Sequence, residues 1–241
     1  MGKSNDSMDP GKISFANNIS ILTSFKDKSL ENYARLGLIG GLLWFVLMLF
    51  YIVNDSWAEP IESYPVFIVS DILNVLGALF LFMFIRFLYN QGIHFGLKKI
   101  IFMILIGFAL RVLGKILDAF NYSLIAFEVG GDALITGIFL FSDLFHLLGA
   151  IAIAAFMLIL FKKEQKKTYK VICLLSVIFA SLHACAYIFL FLLDTGIIEW
   201  VYIQIVRLVS LFTSVTLILY FLLFLKDSIK TQKIVEKNLN I

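Results

Sequence analysis

Ser142-Asp143-Leu144-Phe145-His146-Leu147-Leu148-Gly149-Ala150 sets a carboxylate and an imidazole three residues apart inside a long apolar run. An ionised carboxylate in hydrocarbon costs ~2.5–3.5 kcal/mol even on the mildest insertion scale, so Asp143 needs a partner or a water-filled cavity. The pattern occurs earlier in the chain as Ser70-Asp71-Ile72-Leu73-Asn74-Val75-Leu76-Gly77-Ala78, an offset of 72 residues (142 − 70). Two apolar runs with the same buried polar signature predict a membrane protein with a charged layer inside it.

Composition points the same way. Of 241 residues, 61% are hydrophobic and 15% charged, with a mean hydropathy of +0.94. A soluble domain carries about a quarter charged residues. This much apolar surface needs lipid as its solvent. The formal net charge of +3 forms no basic stripe, so nucleic acid is not an expected partner; the expected partner is the lipid bilayer. Cys173 and Cys185, twelve residues apart on one helix, would lie roughly 18 Å from each other and cannot form a disulfide.

Outward from the two signatures, six apolar runs are expected to span as helices, at 33–54, 65–89, 99–121, 133–161, 169–193 and 197–225, each near the ~20 residues a bilayer requires. The expected fold is all-α, a six-helix polytopic bundle. Residues 1–32 read as a polar arm with no removable signal peptide. Residues 226–241 alternate Lys with Ile and Val, and read either as an amphipathic surface helix or as an extension of the sixth span.

The connections set the expected topology. Lys3, Lys12, Lys26, Lys28 and Arg35 precede or open the first span, Arg86, Lys98 and Lys99 flank the second connection, and five lysines from Lys162 to Lys170 flank the fourth. The tail adds Lys226, Lys230, Lys233 and Lys237. The first, third and fifth connections hold acids instead: Asp55, Glu59, Glu62, Glu128, Asp132, Asp194 and Glu199. The positive-inside rule then predicts a cell-membrane protein with both termini cytoplasmic. Trp57, Tyr64, Tyr122 and Trp200 suit the outer interface, and Tyr89 and Tyr169 the inner one.

Three basic residues, Arg111, Lys115 and Arg207, and three acids, Asp71, Asp118 and Asp143, remain in the spans. At ~1.5 Å per residue, Asp143, Arg207, Arg111 and His183 lie roughly 15 Å below the outer surface, Asp71 and Lys115 roughly 9 Å, and Asp118 at the outer end. The inner half is apolar and reads as sealed. Arg111, Lys115, Asp118 and Tyr122 share one helix face, as do Ser176, Ala180, His183 and Tyr187, and Gln204, Arg207, Ser210 and Ser214. Gly37 and Gly41 are expected to let a neighbouring helix approach closely. Expected ion pairs are Asp143 with Arg111 or Arg207, and Asp71 with Lys115.

The offset of 72 also carries Lys98 onto Lys170 and Arg111 onto His183. Arg207 with Ser210 is a weaker third echo. The expected ancestry is three helical hairpins, 1–2, 3–4 and 5–6, about an axis along the membrane normal.

These residues point first to a pocket in the outer half of the bilayer that binds or transports a small polar or amphipathic ligand. Its expected residues are Asp71, Asn74, Arg111, Lys115, Asp118, Asp143, His146, His183, Arg207 and Ser210. No cofactor is expected and no catalytic residue is assigned. The alternatives are a membrane metal hydrolase or b-haem protein using Asp143, His146 and His183, or a non-catalytic sensor or assembly subunit. Ser142 beside Asp143 is a poor nucleophile candidate, because adjacent helical residues point ~100° apart.

Arg35-Leu36-Gly37, Ser70-Asp71 with the run ending in Arg86-Phe87-Leu88-Tyr89, and Asp143 with His146 resemble a loose group of prokaryotic six-helix integral membrane proteins of unassigned function. The resemblance covers about half the chain. The spacing of Asp143 to His146 departs from the group's pattern. It implies a fold and a membrane address, and nothing about activity.

Overall fold

The structure, a computed structural model, describes residues 28–55, 64–90, 97–126, 131–164, 166–192 and 196–239. These form α1 (Lys28–Asp55), α2 (Tyr64–Asn90), α3 (Lys98–Ala126), α4 (Asp132–Lys163), α5 (Lys167–Leu192) and α6 (Gly196–Leu239). No strand occurs among them. Each helix holds a stretch apolar and long enough to cross a bilayer, from 22 residues in α2 to 30 in α4. Helices suit such a stretch because, in lipid, every backbone N–H and C=O must be satisfied within the segment itself. Pro65 falls in the first turn of α2, where a missing N–H costs nothing.

Each helix packs against the helices before and after it in the chain, and α1 closes the circle on α6. Among the described residues no helix backbone packs on another across the circle. Opposite walls therefore meet only through side chains. With six antiparallel passes, the circle has two ends. One carries the first, third and fifth connections and is called here the acidic end. The other carries the lysine-rich connections and is called the lysine end.

Aromatic rings fill the lysine half. Phe84 of α2 meets Phe156 of α4 edge-on at 6.4 Å and Phe221 of α6 at 5.0 Å. These three helices are not neighbours, so their rings meet near the bundle axis. Leu81, Met157, Leu160, Tyr220 and Phe224 are buried in the same cluster. In lipid such packing is held by dispersion contacts rather than by removal from water. The outer surface is apolar too. Ile39, Leu42, Val46, Leu49 and Val53 are all exposed on α1, at three- and four-residue steps that make one lipid-facing stripe.

Small residues let the walls close. A Cβ on Gly40 would come 2.7 Å from the carbonyl oxygen of Gly77, which sits in the first signature. A Cβ on Gly107 would come 2.5 Å from that of Ala152. Gly37 and Gly41 face Phe221 and Ile218 of α6, so the first helix uses its glycines toward both neighbours.

One expectation changes. Tyr169, read as an inner-interface residue, is completely buried. Its hydroxyl donates to Asp227 at 3.0 Å, and Lys166 Nζ reaches the same carboxylate at 2.6 Å. Tyr169 thus locks α5 to α6 instead of facing headgroups. The chain from Lys226 continues α6 without a break to Leu239. Residues 1–27, Trp57 and the side chains of Tyr64, Tyr122 and Trp200 lie outside the described set.

Candidate functional site

The acidic half of the circle is not filled. It holds a cavity of about 230 Å³ with walls from all six helices. That is room for about eight waters at ~30 Å³ each, and smaller than the ~300–1,000 Å³ typical of drug-sized sites. All ten residues singled out in the sequence line it. Reading each helix toward the lysine end gives the depth. Trp44, Asn74, Arg111, His146, His183 and Ser210 are the deepest lining residue of their respective helices, and Tyr51, Asp71, Asp118, Asp143, Tyr187 and Arg207 lie nearer the acidic end.

Asp118 is the centre of the best-satisfied cluster. Its Oδ2 lies 2.9 Å from Lys115 Nζ and 2.8 Å from His146 Nε2, and its Oδ1 accepts from the Ser142 hydroxyl. Lys115 and Asp118 are three residues apart on α3, so one helix turn holds the ion pair. Ser142 and His146 are four apart on α4 and present two donors to the facing helix. Gly114 makes the space: a Cβ there would come 2.8 Å from the His146 ring. The arrangement is not a nucleophile relay. A relay uses one imidazole nitrogen for the hydroxyl and the other for the carboxylate. Here His146 Nε2 faces both Asp118 and Ser142, and His146 Nδ1 has no hydrogen-bond partner.

Arg111 has a different environment. It is 4% exposed, and its guanidinium carbon lies 4.1 Å from the centre of the Trp44 ring. Its Nη1 makes no hydrogen bond, and no carboxylate among the described residues is within ion-pair distance. A desolvated cation over an indole gains ~2 kcal/mol, less than a buried ion needs. Trp44 Nε1 donates to Ser210 Oγ at 3.0 Å, which fixes the ring from α6. His183 is also buried, at 1% exposure. Neither of its ring nitrogens has a hydrogen-bond partner among the described residues, and its ring lies 5.0 Å from Tyr187 and 6.1 Å from Trp44. Gly149, in the second signature, leaves the space that the Arg111 side chain occupies: a Cβ there would come 2.6 Å from Arg111 Cβ.

The remaining charges stand one turn nearer the acidic end. Asp71 Oδ1 accepts from the Tyr51 hydroxyl at 3.3 Å, and its Oδ2 has no partner among the described residues. Tyr51 also shares a 2.7 Å hydrogen bond with Ser70. Arg207 lies over the Tyr51 ring at 5.3 Å.

The expected ion pairs do not form. Neither Asp143 with Arg111 or Arg207, nor Asp71 with Lys115, comes within ion-pair distance. The reason is Asp118. The apolar run puts it at the helix end, but α3 continues to Ala126, so Asp118 lies inside the layer and takes Lys115 for itself. Nor do Asp143, His146 and His183 assemble as a ligand set. Among the described residues no three His, Cys, Asp or Glu side chains are placed to hold a metal ion. The sequence reading also passed over Trp44, Tyr51 and Phe139 as lining residues. Their only signal was an aromatic side chain on the same face as the polar layer, which in a chain with 25 Phe marks nothing out.

Fold and cavity define a class: a multi-pass helical membrane protein, six helices in a closed circle around a polar chamber. No protein-family model, curated protein or solved structure matches the chain.

Proposed function

We propose that this protein binds or transports a small polar or amphipathic ligand in its intramembrane chamber. One observation carries the reading: six helices bring their polar residues to a single cavity in which Arg111, His183 and Asp71 keep buried polar atoms that no group among the described residues satisfies. Placing six ionisable side chains in a bilayer costs on the order of 15–20 kcal/mol at the mildest insertion values. Charges kept only to join helices would be expected to pair with one another. In this protein one carboxylate takes both Lys115 and His146, while Arg111 is left without an acid among the described residues.

The lysine distribution supports a cell-membrane location with both termini cytoplasmic, so that the chamber belongs to the outer half. The matching roles of the two signatures support descent from repeated hairpins. Ser70 and Ser142 each bond to the helix before them, Asp71 and Asp143 each line the cavity, and Gly77 and Gly149 each admit that preceding helix or its side chain. Transport would require the Phe84–Phe156–Phe221 cluster to part; binding alone would not.

Water access tests the reading. With Cys173→Ala and Cys185→Ser as background, Asp143→Cys should react with a membrane-impermeant thiol reagent added outside intact cells. A chamber closed to that reagent, in a protein that still folds, would leave the charges as internal glue.

A further inference from the structure

We infer that the chamber recognises a zwitterion, a single small molecule with an anionic group seated on Arg111 and His183 and a cationic group facing Asp71 and Asp143. This rests on the ligand-binding reading above and gives it a chemical class.

The argument is one of residual charge. Lys115, Ser142 and His146 Nε2 all bond to Asp118, which leaves only His146 Nδ1 of this cluster without a partner among the described residues. Without them, the deep wall holds Arg111, whose Nη1 is unpartnered, and His183, both of whose nitrogens are unpartnered. Both side chains are more than nine-tenths buried and line the cavity. Trp44 stands against both, so they share one region of the floor. Guanidinium and imidazole N–H groups on an aromatic base form a donor set for a carboxylate or phosphate. Among the described residues Asp143 has no ion-pair partner, and Asp71 keeps one oxygen unsatisfied. Asp71 is three residues from Asn74, and Asp143 three from His146, which sets both carboxylates roughly 4.5 Å above the deepest level.

Arg207 lines the cavity at the level of Asp71 and Asp143, one basic group against two carboxylates; a lone anion would leave that excess of acid uncompensated, and a lone cation would leave Arg111 so. A zwitterion answers both and adds no net charge to a low-dielectric site. The volume of about 230 Å³ admits a free α-amino acid or the headgroup of a zwitterionic lipid.

Thermal unfolding of the detergent-purified protein tests this, with a panel of the twenty α-amino acids, and with lactate, inorganic phosphate and isopropylamine as single-charge probes. In parallel, nanodiscs of phosphatidylethanolamine are compared with nanodiscs of phosphatidylglycerol. At a saturating concentration one amino acid, or phosphatidylethanolamine, should raise Tm by about 5 °C. Lactate, phosphate and isopropylamine should leave it unchanged. The shift should vanish in both Arg111→Gln and Asp143→Asn; the latter touches no hydrogen bond in the structure and is the safer variant for folding. A response to a free amino acid identifies a soluble ligand, and a response to phosphatidylethanolamine alone identifies a lipid headgroup; either supports the zwitterion. An equal shift with lactate, phosphate or isopropylamine overturns it while leaving a ligand site in place. No shift with any zwitterion also overturns it, and thiol labelling at position 143 then decides whether the chamber is a ligand site at all.

Discussion

The Arg111 guanidinium lies over Trp44, 4.1 Å from its ring centre, with no carboxylate among the described residues within ion-pair reach. The two residues come from α3 and α1, which do not pack on each other. Their contact therefore crosses the circle and closes the floor of the chamber. Trp44→Phe keeps a ring under Arg111 but removes the bond to Ser210, and should cost about 1 kcal/mol. Trp44→Ala removes both and should cost ~3–5 kcal/mol. Circular-dichroism melts in mild detergent check the order; equal losses would mean that the ring itself contributes little.

Asp118 and His146 should be energetically coupled. A double-mutant cycle of Asp118→Ala and His146→Ala should give an interaction energy of ~1–3 kcal/mol. The cycle of Asp143→Ala and Arg111→Ala, a pair that the sequence suggested and the structure separates, should be additive within ~0.5 kcal/mol. Strong coupling in the second cycle would restore that ion pair.

Gly40→Ala should destabilise by ~1–3 kcal/mol, because the new Cβ meets the rigid Gly77 carbonyl at 2.7 Å and the two helices must separate. Gly149→Ala presses on the Arg111 side chain and should reduce ligand response more than stability. Gly137 is the control: nothing lies within 4 Å of a Cβ there, so Gly137→Ala should stabilise by ~0.5–1 kcal/mol through helix propensity. Melting temperatures of the three variants give the comparison.

At the lysine end, Asp227 holds both Lys166 and Tyr169. The lysine side chain is 33% exposed, so Lys166→Ala should cost at most ~1 kcal/mol and less in high salt. Tyr169 is fully buried, and Tyr169→Phe breaks a hydrogen bond to a carboxylate, worth ~1.5–3 kcal/mol. Chemical denaturation at two ionic strengths separates the two: only the lysine variant's loss should depend on salt.

The sequence by itself determined the number of helices and the identity of the polar layer. Both are one-dimensional: a bilayer demands about twenty apolar residues per pass, and a charge inside such a run stands out at once. It determined too that Asp71, Arg111, Asp143, His146 and Arg207 belong to one half, since depth is counted along the helix. Only the tertiary structure decided who pairs with whom. Pairing depends on the rotation of each helix and on where its end falls. Asp118 shows this: a few more residues of α3 moved it from the rim into the layer, where it took Lys115 and His146 and left Arg111 without an acid. Trp44 shows the same thing from the apolar side. Nothing local distinguishes it from the phenylalanines around it. Its place on the chamber floor comes from the closure of α1 on α6, which brings its ring to Ser210 and, across the circle, to Arg111 and His183.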